Sequence, residues 1–283
     1  MESARRPNEE QLNLWNGLGG RGWVEAQGTL DRLLQPFEDS LLETAAVRVG
    51  SRVLDVGCGT GSTTLGFARR VGAAGRAVGV DISEPMLALA RERAARERLP
   101  ADFIRADAQV HAFEPASFDA IVSRFGVMFF DDPVGAFANL RRSARPGAEL
   151  RFAAWRSAAE NPFMTAAERA AAPLLPALPP RDPNGPGQFA FADRDRVRRI
   201  LEESGWTQVE IGRSDPVCKL PEPDLTRYLI RVGPIGRALQ EADEPTRARI
   251  MDAVRPAFAP YVHGGEVSFT AACWMVAARA PAA

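Results

Sequence analysis

Cysteine, histidine and tyrosine are scarce in this sequence of 283 residues. Its three cysteines, Cys58, Cys218 and Cys273, are odd in number and widely spaced, which excludes a disulfide framework and matches no zinc-binding pattern. Only two histidines, His111 and His263, could act as the general base that catalytic proton transfer most often uses. We therefore expect no metal centre and few candidates for a catalytic base.

Long apolar runs and an excess of basic charge are also missing. The formal net charge at pH 7 is −1, whereas a protein that binds nucleic acid non-specifically usually has a basic face. No run of about twenty apolar residues, the length that a membrane-spanning helix needs, occurs in the sequence. The residues after Met1 lack the apolar stretch of a signal peptide. We therefore expect a cytoplasmic protein without nucleic-acid or membrane partners.

The most informative segment is residues 53–61, Val-Leu-Asp-Val-Gly-Cys-Gly-Thr-Gly, which Asp81 follows further along the chain. It predicts an apolar strand, a glycine-rich turn, a helix and a second strand that ends on a carboxylate. Glycines let a ligand approach the backbone closely, and a helix N-terminus offers free N–H groups to an anionic group. An acid at the end of the second strand can accept hydrogen bonds from ribose hydroxyls. This unit predicts a site for an adenosine-bearing ligand.

The spacing of the glycines narrows the choice of ligand. Gly57, Gly59 and Gly61 form G-x-G-x-G, whereas the dinucleotide fingerprint is G-x-G-x-x-G and a P-loop needs a lysine after its last glycine. With Asp55 before the first glycine, the pattern D-x-G-x-G-x-G resembles motif I of the class I S-adenosylmethionine-dependent methyltransferases. A tight strand-to-helix turn in another doubly wound protein is the alternative for this stretch alone.

The resemblance continues through most of the chain. Asp81-Ile82 matches the pair that holds ribose and packs on adenine, and Ala106-Asp107-Ala108 matches the motif whose acid takes the adenine amino group. Residues 118–125 resemble motif IV, and residues 145–150 resemble the turn into the fifth strand. The sequence is similar in style to the UbiE-like, type 11 group of small-molecule methyltransferases. The resemblance therefore implies a role in bacterial secondary or quinone-like metabolism.

The same resemblance implies that S-adenosyl-L-methionine is the cofactor and S-adenosyl-L-homocysteine the product. Asp55 and the glycine turn would hold the amino-acid end, and Trp23 and Gln27 would cover the methionine part. The complete set of implied cofactor-binding residues is Asp55, Gly57, Cys58, Gly59, Gly61, Asp81, Ile82, Met86, Asp107, Ala108, Ser123, Phe125, Trp23 and Gln27.

Strand and helix signals alternate from residue 52 to residue 155, which predicts an α/β fold with a mostly parallel sheet between helices. The resemblance implies a doubly wound, seven-stranded Rossmann-like sheet with strand order 3-2-1-4-5-7-6 and strand 7 antiparallel. We expect the last strand over about 266–278. The expected divisions are a helical lid (1–46), a cofactor-binding core (47–156), an acceptor-pocket insertion (157–192) and a C-terminal part (193–283) with a helical cap insertion (213–262).

The chemistry implied is an in-line displacement at a sulfonium methyl by an oxygen, carbon or nitrogen atom of the acceptor. Proximity and alignment alone can lower the barrier by about 7–11 kcal/mol. The catalytic candidates are His263, its neighbour Tyr261, and Arg124 at the end of motif IV. A solvent-exposed turn is the alternative position for His263. For Arg124 the alternative is a salt bridge to Asp131 or Asp132.

The apolar side chains of residues 157–192 favour a small, fairly apolar acceptor. One alternative is a nicotinamide-dependent oxidoreductase, which the glycine spacing and the absence of a Tyr-x-x-x-Lys pair disfavour. A second is a non-catalytic protein that binds S-adenosylmethionine. Methylation of RNA or protein is disfavoured because residues 123–126 read Ser-Arg-Phe-Gly in place of Asn/Asp-Pro-Pro-Phe/Tyr. The sequence leaves the choice between a monomer and a homodimer open.

Overall fold

The computed structural model describes residues 8–175, 182 and 185–282. Its strands are β1 (Arg52–Val56), β2 (Arg76–Asp81), β3 (Ala101–Arg105), β4 (Phe118–Arg124), β5 (Ala144–Trp155), β6 (Thr207–Ser214), β7 (Val217–Pro221), β8 (Val262–His263), β9 (Glu266–Thr270) and β10 (Cys273–Arg279). Its α-helices are α1 (Glu9–Asn16), α2 (Leu18–Glu25), α3 (Gln27–Thr44), α4 (Ser62–Val71), α5 (Glu84–Glu97), α6 (Pro133–Ser143), α7 (Pro162–Ala171), α8 (Arg194–Glu203), α9 (Glu222–Arg231), α10 (Gly233–Glu241) and α11 (Glu244–Val254).

Seven strands form the main sheet, in the order β3-β2-β1-β4-β5-β10-β6. β1 pairs in parallel with both β2 and β4, whereas β10 is antiparallel to its neighbours β5 and β6. The predicted strand order and the antiparallel seventh strand are therefore confirmed. The order reverses between β1 and β4, and ligands of open α/β sheets bind outside the carboxyl ends of the strands at such a point.

Strand β1 shows why this sheet needs helices on both faces. Successive side chains of a strand point to opposite faces, so Val53 and Leu54 belong to different clusters. Val53 packs in a cluster with Leu41 and Phe67, and Leu54 packs in the larger one with Phe137. All five side chains are fully buried. A strand that is apolar on both faces must be central, which explains why Val53, Leu54 and Val56 are all apolar.

The expectation of a single last strand over 266–278 is wrong, because two strands of different sheets share this segment. β9 pairs with β7 and β8 in a small three-stranded antiparallel sheet, and β10 returns to the main sheet. The amide side chain of Asn161 donates to the carbonyl of Ala272 at 2.9 Å and accepts from its N–H at 2.9 Å. These two bonds satisfy the backbone of Ala272 where the chain passes between the sheets. The segment 213–262, expected to be helical only, likewise contains β7 and β8.

Two helices of the cap begin next to a proline. α10 begins with Gly233-Pro234 and α11 with Glu244-Pro245, so each proline occupies the first turn, where its missing N–H costs little. α2 contacts both α9 and α10 across the carboxyl edge of the sheet. Within the described part of the chain, no helix has the length and apolar character that crossing a bilayer requires.

Candidate functional site

The carboxyl ends of β1, β2 and β4 border a cavity of about 790 Å³. This volume lies within the range of about 300–1,000 Å³ that is usual for small-molecule sites. Residues of the N-terminal helices and of α9 and α10 line it from above the sheet edge. The cavity therefore lies where the topology of the sheet places a ligand.

The glycine turn after β1 is set by close backbone packing. Gly57 has φ 67°, and a Cβ on it would lie 2.6 Å from the Cα of Gly126. The N–H groups of Gly57 and Cys58 donate to the carbonyl of Val80 at 2.8 and 3.1 Å. Within the described residues no side chain caps α4. Its first N–H groups are therefore available to an anionic group.

Asp81, at the end of β2, connects this turn to the next one. Its carboxylate accepts hydrogen bonds from the N–H of Gly59 and the N–H of Ser83, both at 2.8 Å. Burial raises the pKa of the carboxyl, and the two backbone bonds act against that rise. Because a carboxylate has about four acceptor positions, it retains capacity for the hydroxyls of a ribose.

Asp55 lies in β1, below the glycine turn, and is almost fully buried. One carboxylate oxygen, Oδ2, accepts from the hydroxyl of Thr64 at 2.6 Å. The other, Oδ1, is buried without a hydrogen-bond partner among the described residues. Desolvation raises the pKa of Asp55 to about 7, against the lowering effects of Thr64 and the positive charge of Arg124. An unpartnered carboxylate oxygen in the lining of a cavity suits a cationic or hydrogen-bond-donating ligand group.

A third acid, Asp107, lies just after β3 and also lines the cavity. It accepts from the N–H of Gln109 at 2.9 Å and from Asn8, and burial raises its pKa.

Trp15 packs edge-on against both Trp23 and Phe129, with ring centroids 6.0 and 5.3 Å apart. These rings cover the polar edge with an apolar surface.

Trp15 was not among the predicted site residues, although α1 is held directly against the site. The hydroxyl of Ser83 donates to the carbonyl of Trp15 at 2.6 Å, and the side chain of Asn16 donates to the carbonyl of Ile82 at 3.0 Å. The only sequence signal was the pair of tryptophans Trp15 and Trp23 in a glycine-rich segment.

The end of β4 carries a strained aromatic residue. Phe125 has φ 66°, in the left-handed region that non-glycine residues rarely occupy. Its ring stacks on Trp155 at 4.3 Å and 6°, and Phe37 packs edge-on against it. Ser123 is fully buried beneath, where its hydroxyl donates to the carbonyl of Val56 at 2.8 Å. Phe125 therefore lines the cavity, and Ser123 holds the ends of β1 and β4 together.

Arg124 also lines the cavity, and its partner differs from the alternative considered from the sequence. Its guanidinium lies 3.6 Å from the carboxylate of Glu38 on α3, and neither Asp131 nor Asp132 forms a salt bridge with it in the described chain. Glu38 also accepts a hydrogen bond from the hydroxyl of Ser62 at the start of α4. The arginine is thus an internal tie between α3, α4 and β4.

Most of the predicted cofactor residues border the cavity. They are Trp23, Asp55, Gly57, Cys58, Gly59, Asp81, Ile82, Met86, Asp107, Ala108 and Phe125. Gly61, Ser123 and Gln27 lie outside the lining. Gln27 donates to Asp31 at 2.5 Å, Asp31 pairs with Arg93 at 2.7 Å, and Arg93 donates to the carbonyl of Thr60. Gln27 therefore acts on the glycine turn through other side chains.

The two other catalytic candidates lie away from the cavity. His263 is exposed at the end of β8, and Tyr261 packs against Phe163 and Phe258. Neither belongs to the cavity lining. The exposed turn considered from the sequence as the alternative position of His263 is the one observed, and this turn belongs to the small second sheet.

The part of the cavity beyond Phe125 is largely apolar. We call it the apolar chamber; its walls are Trp155, Met164, Phe189, Tyr228, Arg237 and Phe269. Phe269 stacks on Phe163 at 3.8 Å, and Phe163 contacts the ring of Tyr228 at 5.9 Å. Tyr228 and Arg237 were not predicted, because the sequence indicated a helical cap over 213–262 but not which of its side chains face the sheet edge.

The polar groups at the strand ends are complementary to the groups of S-adenosylmethionine. That molecule carries an ammonium, a carboxylate, a ribose diol and an adenine. These four groups match, in the same order, the unpartnered Oδ1 of Asp55, the uncapped start of α4, the carboxylate of Asp81 and the carboxylate of Asp107. A pyrophosphate would instead meet the buried carboxylate of Asp55.

Comparisons with known proteins agree with this match. A family model described as a methyltransferase domain matches residues 53–147. A demethylmenaquinone methyltransferase of Renibacterium salmoninarum is 31% identical over 168 residues, which are 56% of this chain and 68% of that protein. The ubiquinone/menaquinone biosynthesis C-methyltransferase UbiE of Marinomonas sp. is 28% identical over 163 residues, or 57% of this chain and 62% of that protein.

Among solved structures, the YcgJ protein from Bacillus subtilis superimposes with a TM-score of 0.58 at 18% identity. The alignment covers 88% of this chain and all of the YcgJ chain. At this identity the likeness concerns the fold alone, and it agrees with the seven-stranded sheet described above.

Proposed function

The chain belongs to the class I S-adenosylmethionine-dependent methyltransferases, and we propose that it methylates a small, largely apolar acceptor bound in the apolar chamber. The observation that carries the proposal is a single cavity with two ends of opposite character. Three carboxylates line one end, two of them buried and the third, Asp107, half-buried, and aromatic and methionine side chains line the other. A polar cofactor and an apolar substrate would meet beside Phe125.

We assign the cofactor-binding roles as follows. Asp81 accepts hydrogen bonds from the ribose hydroxyls, and Asp107 with Asn8 binds the adenine edge. Asp55 and the N-terminus of α4 hold the amino-acid end, and Trp15, Trp23 and Phe129 exclude water. When bound, S-adenosylmethionine supplies a methyl group on a sulfonium, which is already activated for displacement. The protein's task is then to orient the acceptor and to keep water out.

The closed roof of the site supports a small acceptor over a polymer. α2 packs so tightly on the end of α9 that a Cβ on Gly22 would lie 2.1 Å from the carbonyl oxygen of Arg231. The salt bridge between Arg231 and Glu25, at 2.8 Å, joins the same two helices. An RNA or a protein segment could not cross this roof without separating the helices.

The lining supports a reaction without a strong general base. No histidine is among the described residues that border the cavity. Burial raises the pKa of Tyr228 to about 12, so the phenol stays protonated at neutral pH. Arg124 pairs with Glu38 and cannot accept a proton. We infer that the acceptor contributes its own acidity, as a phenol, an enol or a hydroquinone does.

The test uses cofactor with a deuterated methyl group and a panel of phenols and naphthohydroquinones, the latter chosen because the relatives above are named for quinone biosynthesis. Mass spectrometry should detect a labelled product that carries one methyl group. Asp81→Asn is the control that should lose the product at limiting cofactor. Cofactor binding by calorimetry, combined with no labelled product from any acidic acceptor, would contradict the proposal.

A further inference from the structure

Three arginines of the described chain line the cavity, and two of them are neutralised in place. Arg124 pairs with Glu38, and Arg231 pairs with Glu25. The third, Arg237, makes no hydrogen bond or salt bridge with any residue that the structure describes. A partly buried guanidinium without a salt-bridge partner is costly unless a ligand supplies one.

Arg237 lies on α10 in the wall of the apolar chamber. Glu168 on α7 and Glu241 on its own helix act on it electrostatically, but neither approaches to salt-bridge distance. Burial lowers its pKa, yet a guanidinium stays protonated at neutral pH because its reference value is above about 12. The chamber therefore contains a fixed positive charge among apolar walls.

Tyr228 adds a neutral hydrogen-bond donor to the same wall. Its hydroxyl makes no hydrogen bond within the described residues, and Glu168 acts electrostatically on it as on Arg237. A protonated phenol and a guanidinium can both donate to one oxygen-bearing group. The fork of the guanidinium matches the two oxygens of a carboxylate.

We propose that the acceptor carries a carboxylate, which Arg237 binds with Tyr228 as a second donor. This inference rests on the proposed function, since it concerns the substrate of the same cavity. The anionic end of the acceptor lies against α9 and α10, and its reactive end points towards Phe125. Arg237 is then a specificity residue, because it orients the acceptor without taking part in the transfer.

The experiment measures binding of matched acids and amides to the protein loaded with S-adenosylhomocysteine. The probes are benzoate, 4-hydroxybenzoate and 2-naphthoate, each paired with its carboxamide, and ligand-observed NMR titrations supply the dissociation constants. A site built around a charged donor should prefer the acid by about tenfold or more. The preference should fall to about twofold or less in Arg237→Met, which keeps the length and removes the charge.

Two further variants separate charge recognition from damage to the fold. Arg237→Lys keeps the positive charge and should keep a weaker preference for the acids. Arg227→Met removes an exposed arginine of the neighbouring helix α9 and should leave the preference unchanged. Thermal melting with S-adenosylhomocysteine checks that each variant is folded.

The outcomes distinguish this inference from the proposed function. Loss of the preference in Arg237→Met, with unchanged affinity for S-adenosylhomocysteine, would support it. The inference is overturned if the wild-type protein, loaded with S-adenosylhomocysteine, binds acids and amides equally or binds no acid. A preference that survives Arg237→Met also overturns it. Failure of the wild-type protein to bind S-adenosylhomocysteine would instead contradict the proposed function.

Discussion

The two ends of the cavity are built in different ways. At the polar end, Asp55, Asp81 and Asp107 each lie in or just after a strand, and backbone N–H groups or a hydroxyl hold every one of them. In the apolar chamber, the side chains come from β5, α7, α9, α10, β9 and the loop before α8, and the walls are held by ring packing. Backbone geometry therefore determines the cofactor end, whereas the packing of distant helices determines the chamber.

This difference has a consequence for mutations. Side chains that bond to fixed backbone groups tolerate few substitutions, because the loss of one partner leaves a buried charge without a hydrogen bond. Apolar walls tolerate changes of shape, which alter the fit of the substrate more than the stability of the fold. Changes at the polar end should therefore affect cofactor affinity, and changes in the chamber should affect acceptor choice alone.

The largest effect is expected for Gly57→Ala. The new methyl group would meet the Cα of Gly126 at 2.6 Å, in a backbone conformation that alanine rarely adopts. We expect a loss of about 2–4 kcal/mol in the free energy of unfolding, measured by denaturant titration. Gly147→Ala is the matched control, because its φ is 73° but a Cβ would meet nothing within 4 Å. Equal losses in the two variants would show that backbone contact at the turn is unimportant.

The next effect is expected for Asp81→Asn, which keeps the shape and removes the charge. Affinity for S-adenosylhomocysteine should fall by about ten- to hundredfold, as for lost hydrogen bonds to a charged group. Isothermal calorimetry supplies the measurement, and Asp102→Asn, at an exposed carboxylate of β3, is the control. An affinity within about twofold of the wild type would show that the charge of Asp81 does not bind the ligand.

A smaller effect is expected from pH, through Asp55. Because its pKa is raised to about 7 without ligand, the carboxyl is mostly protonated at pH 6 and mostly ionised at pH 8. Only the ionised form attracts an ammonium group, so affinity for S-adenosylhomocysteine should rise by about tenfold from pH 6 to pH 8. Calorimetry in buffers of different ionisation enthalpy should detect proton release on binding at pH 6. The same pH dependence in Asp55→Asn would assign the effect to another group.

The smallest effect is expected for Met164→Ala in the chamber. A wider chamber should shift the preference towards bulkier acceptors by less than about tenfold, and affinity for S-adenosylhomocysteine should not change. Competition between a phenol and a naphthohydroquinone, read by mass spectrometry, measures the shift. A loss of cofactor affinity would mean that the two ends of the cavity are not independent.

Prediction from the sequence was accurate for features that depend on residues close together in the chain. The strand–turn–helix unit at residues 52–71 and the acid at the end of β2 occupy the predicted positions, because glycine spacing and strand ends are local features. Prediction from the sequence failed at residues 266–278. The break between β9 and β10 there depends on Asn161, more than one hundred residues earlier. For His263 the sequence left a place in the site and an exposed turn open, and the packing of the second sheet leaves it in the exposed turn.

The chamber shows the same limit. Nothing local distinguishes Arg237 from the other arginines of the cap, and only the packed helices show that no described residue forms a salt bridge with it. Arg124 likewise had acidic neighbours in sequence, but it pairs with Glu38 on α3.

The amino-acid sequence by itself determined the class of fold, the cofactor family and the polar end of the cavity, because glycine conformation and strand-end carboxylates act within a few residues of each other. Tertiary structure alone decided which side chains enclose the acceptor and which charge stays unpaired there. Those properties depend on helices that meet over the sheet edge from distant parts of the chain, and local periodicity carries no information about that meeting.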